Sequence, residues 1–166
     1  DPLCAESGIP RIEGLGLLDI STTFLPEKMT FQIEAEVTGT GLFLDGSPPA
    51  RITGYEIHMG RTELAPGLKP AFRVLSRSGE KTDFPDGAVS RDGRVFGTYI
   101  HGIFDNGEFR RHLINILRKR KGLQPLAPAK EMSALEQRSR DFDKLATVVR
   151  NSLDMDKVYG LLSIRC

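Results

Sequence analysis

The first residue suited to proton-transfer chemistry is His101, near the end of the apolar, β-branched and aromatic run Val95-Phe96-Gly97-Thr98-Tyr99-Ile100-His101-Gly102-Ile103-Phe104. Val, Ile, Thr, Tyr and Phe favour a strand, and Gly102 with Asp105-Asn106-Gly107 supplies the break after it. His101 is therefore expected at a strand end. In open α/β sheets reactive groups gather at the carboxyl ends of strands, where an imidazole can exchange protons near neutral pH. A hydrogen-bonded core histidine is the other reading of the same pattern. Glu56 and His58 form a second candidate pair. Strand periodicity sends Tyr55, Ile57 and Met59 to one face and Glu56 and His58 to the other, so an acid and an imidazole share a side. They could couple their protonation for acid/base work, or make a structural pair on a solvated face. Cys4 and Cys166 lie near opposite ends of the chain with no CxxC or metal-ligand spacing, and read as reduced and incidental.

The elements that must position these groups follow from patterning. Residues 1–14 carry Pro2, Gly8, Pro10 and Gly14 with little periodicity and read as a surface connection. Met29, Phe31, Ile33, Ala35 and Val37 alternate with Lys28, Thr30, Gln32, Glu34 and Glu36, which predicts a half-buried strand. A turn at Asp45-Gly46-Ser47-Pro48-Pro49 leads into a strand over 51–59, antiparallel to the first. Residues 61–93 are rich in Gly and Pro and predict long loops with a short strand or two around 72–75. Asp105 followed by Glu108 resembles a capping box and starts a helix through Phe109, Leu113, Ile116 and Leu117, with Gly122 as its stop. Residues 123–131 form a linker with Pro125 and Pro128. Phe142, Leu145, Val148, Val149 and Leu153 then mark an amphipathic helix, and a last short helix covers 154–162. These closing helices carry no cluster of catalytic residue types and read as packing elements or a partner surface.

Composition narrows the function classes. The chain has 166 residues, 39% hydrophobic and 27% charged, with a formal net charge of +1, which fits a globular domain and gives no global attraction to nucleic acid or acidic lipid. The basic cluster Arg118-Lys119-Arg120-Lys121 falls in the expected last turn of a helix, where cations offset the helix dipole, and no aromatic residues interleave with it. No apolar stretch reaches the roughly 20 residues of a membrane span, and no basic leader opens the chain. The expectations are no nucleic-acid partner, no membrane and a cytoplasmic location. No phosphate loop, HExxH or GxSxG motif is present.

The stretches Gly14-Leu15-Gly16-Leu17-Leu18 with Thr23-Phe24, Gly54-Tyr55-Glu56-Ile57-His58-Met59-Gly60 with Thr62, Asp86-Gly87-Ala88-Val89-Ser90 and Gly97-Thr98-Tyr99-Ile100-His101-Gly102-Ile103-Phe104 carry the reading further. In this order they resemble the C-terminal glutaminase domain of the cobyric acid synthase family. The likeness runs from about residue 14 to 162, including Phe142-Asp143-Lys144-Leu145-Ala146 and Leu153-Asp154-Met155. It implies an α/β fold of the class I glutamine amidotransferase type, a mixed sheet flanked by helices, of which this chain is the C-terminal part. Residues 1–122 would hold the strands, the histidine-bearing strand and one helix, and 123–166 the linker and terminal helices.

The resemblance also implies an activity. In the family a cysteine thiolate attacks the side-chain amide of L-glutamine, a histidine acts as its acid/base, and the ammonia amidates carboxylates of a corrinoid, adenosylcobyrinic acid a,c-diamide. His101 matches the family's catalytic histidine, and Glu56 and His58 are possible supporting residues, with Glu56 orienting His101 if their strands are neighbours. ATP and magnesium belong to a synthetase domain outside this chain, so neither a cofactor nor a metal is expected within it; a homo-oligomer is admitted. This sequence departs from the pattern in having no Gly-flanked cysteine elbow, and Ile103 stands where many relatives of the class place a glutamate. The expectation is the histidine half of a glutaminase, inactive alone. A degenerate, non-catalytic module that binds a partner through an open sheet edge or the terminal helices is the alternative.

Overall fold

A computed structural model describes residues 1–48, 51–127 and 134–162. The alternating segment becomes the spine of the sheet. Strand β1, Ile20–Val37, pairs antiparallel with β2, Ile52–Leu64, along most of its length and with β3, Phe72–Arg77, at its C-terminal end. Strand β4, Glu80–Asp86, pairs with β3, and the two-residue β7, Ile100–His101, closes the other edge against β2, giving the order β4-β3-β1-β2-β7. A second ribbon joins β5, Ala88–Val89, to β6, Phe96–Gly97. All of these pairings are antiparallel. Helix α1, Gly107–Arg120, follows β7, and α2, Ala134–Ser152, and α3, Met155–Leu161, complete the mixed α/β arrangement.

Period-two patterning decides which face is buried. Ile33 and Ala35 of β1, Ile52 of β2, Phe72 and Val74 of β3 and Ile100 of β7 share one face, and α1 covers it with Phe109 and Leu113. Phe72 sits at the centre, edge-on to both Phe96 and Phe109 at centroid distances of 6.0 and 6.2 Å. Four fully buried side chains, Phe72, Phe109, Ile52 and Val74, each remove enough apolar surface to contribute about 1.5–3 kcal/mol. The chain packs as two compact units, Asp1–Ala129 with the sheets and α1, and Lys130–Cys166 with α2 and α3.

Three local expectations change. The strand expected over 51–59 continues to Leu64, and the region 61–93, expected as long loops with a short strand or two around 72–75, also holds β4 and β5. The run over 95–104 is not one strand but two short ones in different sheets, β6 and β7. The reason lies at Thr98, whose hydroxyl donates to the buried Asp86 carboxylate and accepts the N–H of Ile100, which turns the backbone between them. The helix after it starts later than Asp105, which ends a 3-10 turn, Ile103–Asp105; Asn106 is the N-cap of α1. The last two helices follow their patterning, and Asp154 caps α3 by accepting the N–H of Lys157. Part of the linker, 128–131, and Cys166 lie outside the described residues.

Candidate functional site

His101 is the last residue of β7, at the sheet edge, and its side chain is exposed rather than part of the core. Its register partner is Tyr55, so the two side chains share the face of the β2–β7 pair turned away from the core. Nε2 lies 3.3 Å from the carbonyl oxygen of Ile57. A carbonyl can only accept, so this contact selects the tautomer with hydrogen on Nε2 and the lone pair on Nδ1. The close approach of the two strands depends on Gly54, where a Cβ would stand 2.4 Å from the His101 carbonyl oxygen. Immediately after His101 the chain turns out of the sheet at Gly102, whose φ of 77° is the left-handed conformation that favours glycine. An exposed imidazole with an available lone pair, held at a strand end, is fitted to take and return a proton.

Glu56 and His58 come together, but on the opposite face. Glu56 pairs with Ile100 in register and is buried at 3% exposure. Its carboxylate receives the Nε and Nη2 hydrogens of Arg77, both at 2.7 Å, and lies 2.7 Å from His58 Nε2. Arg77 comes from β3, reaching across β1, with its guanidinium over the rings of Phe31 and Phe84 at 4.9 and 4.0 Å. His58 Nδ1 faces the carbonyl of Gly60 at 2.7 Å, and the ring stacks on Tyr99 at 4.3 Å. The solvated-face reading of this pair is thus reversed: it is a buried ionic network. Nor does Glu56 reach His101. The register puts them on opposite sides of the sheet, and both Glu56 oxygens are held by Arg77 and His58.

Asp86 lies near this network, and burial pushes its carboxyl above the ordinary value of 3.8, with hydrogen bonds from the Thr98 hydroxyl and the Tyr99 backbone pulling the other way. Together with Leu18, Met29 and Phe84, the network residues line a mostly apolar cavity of about 680 Å³ that His101 does not line. Sequence patterning did not single out Arg77, Tyr99 or Asp86. Arg77 reaches Glu56 across an intervening strand, a relation with no periodic signature. Cys4 is exposed in the N-terminal connection, where the Asp1 carboxylate accepts the N–H groups of Ala5, Glu6 and Ser7. The cations at 118–120 occupy the last turn of α1, as their position suggested. Among the described residues no three His, Cys, Asp or Glu side chains are grouped to hold a metal ion, and no helix is long and apolar enough to cross a membrane.

Residues 1–109 match the family model of the CobB/CobQ-like glutamine amidotransferase domain. Over 165 residues, 99% of the chain, it is 41% identical to the cobyric acid synthase of Clostridium botulinum strain Langeland. It is 45% identical over 163 residues to that of Thermoanaerobacter sp. strain X514, and 46% identical over 166 residues to that of Caldanaerobacter subterraneus subsp. tengcongensis, in each case over 98% of the chain. The chain spans 32% of the length of each of these three curated relatives.

Proposed function

The chain belongs to the CobB/CobQ-like glutamine amidotransferase family, and from that premise we propose that it supplies the histidine half of a glutaminase site in a cytoplasmic cobyric acid synthase. The observation that carries the proposal is His101: an exposed imidazole at the end of β7, its Nε2 beside a backbone carbonyl and its other nitrogen left to act as a base. The nucleophile would be a cysteine outside these 166 residues, since neither Cys4 nor Cys166 stands among the glycines of a nucleophile elbow.

In the proposed reaction His101 takes the thiol proton, and the thiolate adds to the side-chain amide carbon of glutamine. The imidazolium then gives that proton to the departing nitrogen as the C–N bond breaks, releasing ammonia and leaving a γ-glutamyl thioester. Water attacks the thioester while His101 accepts its proton and returns it to the sulfur, freeing glutamate. Ammonia would then replace the hydroxyl of corrinoid side-chain carboxylates, adenosylcobyrinic acid a,c-diamide being the acceptor, after activation by ATP and magnesium at residues outside this chain. Glu56 and His58, on the other face, would support the sheet rather than touch glutamine.

Two measurements test this reading. The 166-residue chain alone should release no ammonia from glutamine above background; sustained hydrolysis abolished by His101→Ala but not by Cys4→Ser would overturn the assignment of the nucleophile elsewhere. The full-length protein, given glutamine, ATP, magnesium and the corrinoid diamide, should yield amidated corrinoid by mass spectrometry; an unchanged corrinoid would overturn the acceptor.

A further inference from the structure

Strand β7 is too short to fix His101 by itself. Only Ile100 and His101 pair with β2, and continuation of the register would set residue 103 opposite Thr53. The chain has already left the sheet there, turning at Gly102 into the 3-10 segment. The side chain of Asn106 takes the vacant place. Its Oδ1 accepts the backbone N–H of Thr53 at 2.9 Å and the Thr53 hydroxyl at 3.2 Å, while Nδ2 donates to the Thr53 carbonyl at 2.9 Å. A primary amide thus makes the pair of bonds that a backbone peptide would make in an antiparallel ladder. The same Nδ2 also donates to the carbonyls of Ile103 at 3.0 Å and Gly102 at 3.4 Å, so one side chain ties β2 to the turn that follows His101.

A second feature sets this residue apart. Asn106 is the N-cap of α1, a position where asparagine ordinarily accepts a hydrogen bond from the helix's free N–H groups and contributes about 1 kcal/mol. Here the side chain makes no capping bond. Its hydrogen-bonding capacity is diverted to β2 and to the turn.

We propose that Asn106 is a positioning residue for His101: its amide extends the β2–β7 pairing past the end of β7 and holds the Gly102–Asp105 turn, so that the imidazole is presented at one fixed place on the sheet edge. The inference rests on the glutaminase reading of His101. Misplacement of a reacting group by about 1 Å can cost on the order of 100-fold in rate, so the clamp is expected to act on turnover more than on substrate binding.

The test uses the full-length protein with Asn106→Ala and Asn106→Asp. The aspartate keeps the side-chain size and acceptors for Thr53, remains a residue type favoured at an N-cap, and loses the donors to three carbonyls, so it serves as the second variant should alanine fail to fold. Steady-state glutaminase kinetics and Thr53 amide hydrogen exchange are measured on both. The expected result is a kcat lower by about 10- to 100-fold, with KM changed less than about threefold. Thr53 exchange is faster in Asn106→Ala, and ammonia-driven amidation is retained. A folded variant of either kind with parental kcat would overturn the positioning role, as would a rise in KM alone. Parental exchange at Thr53 in Asn106→Ala would show that the clamp does not hold the edge. His101→Ala in the same assay separates the two readings: if it keeps full glutaminase activity, the assignment of His101 fails, whatever Asn106 does.

Discussion

At the residue scale, the two histidines singled out by spacing occupy opposite environments, and each gives its own prediction. His101 is exposed, so His101→Ala should leave stability within about 0.5 kcal/mol of the parent in urea denaturation while removing the proposed base. Glu56 is enclosed by Arg77 and His58, with 4% of its side chain exposed, and Glu56→Ala leaves a cation without its partner. A loss of about 3–5 kcal/mol is expected in the same measurement, because removing one member of a buried pair strands the other. Asp86 adds a pH dependence. Its native carboxyl titrates above the unfolded value of 3.8 because it is buried, so its contribution to stability is full below that value and is lost as pH rises through the raised native one. Asp86→Asn does not titrate. Its stability relative to the parent should therefore increase between pH 4 and 7 in urea melts, and a constant difference would contradict the burial argument. His101 was legible because a glycine break after an apolar run marks a strand end. The shared side of Glu56 and His58 was legible from period two, but which side is buried depends on Arg77, Phe31 and Phe84 from other strands.

At the element scale, long periodic segments were legible and short ones were not. The alternation over residues 28–37 marked the C-terminal part of β1 and its buried face, although the strand begins at Ile20, and the spacing of Phe109, Leu113 and Ile116 marked α1. The run over 95–104 has the composition of one strand. It divides because the Thr98 hydroxyl is used by Asp86 and by the N–H of Ile100. Likewise the start of α1 moves to Asn106, whose amide serves β2 instead of capping. The β2–β7 pairing depends on the absence of a side chain at Gly54, where a Cβ would meet the His101 carbonyl oxygen at 2.4 Å and Ile100 Cγ2 at 2.7 Å. Gly54→Ala should cost about 1–3 kcal/mol, as overpacking does, and should speed hydrogen exchange at Ile100 and His101. Parental exchange at those amides would show that the strands tolerate the methyl group.

At the scale of the whole molecule, the match to the family over 1–109 covers the sheet, β7 and the start of α1, the elements that present His101. The chain covers about a third of each of the three curated relatives, and His101, the proposed acid/base, lies in a recognisable stretch of sequence while a Gly-flanked cysteine is absent from the 166 residues. Fold class and the strand-end position of His101 were therefore legible here; the proposed reaction rests on the family resemblance, because no spacing within the chain encodes a substrate. The most direct test compares glutamine with free ammonia as nitrogen donor for the full-length protein and its His101→Ala variant, following amidation of the corrinoid. The account predicts that the variant loses glutamine-dependent amidation by at least about 100-fold, the size of a missing general acid/base, while ammonia-dependent amidation stays at the parental rate. Parental glutamine-dependent amidation in the variant would contradict it.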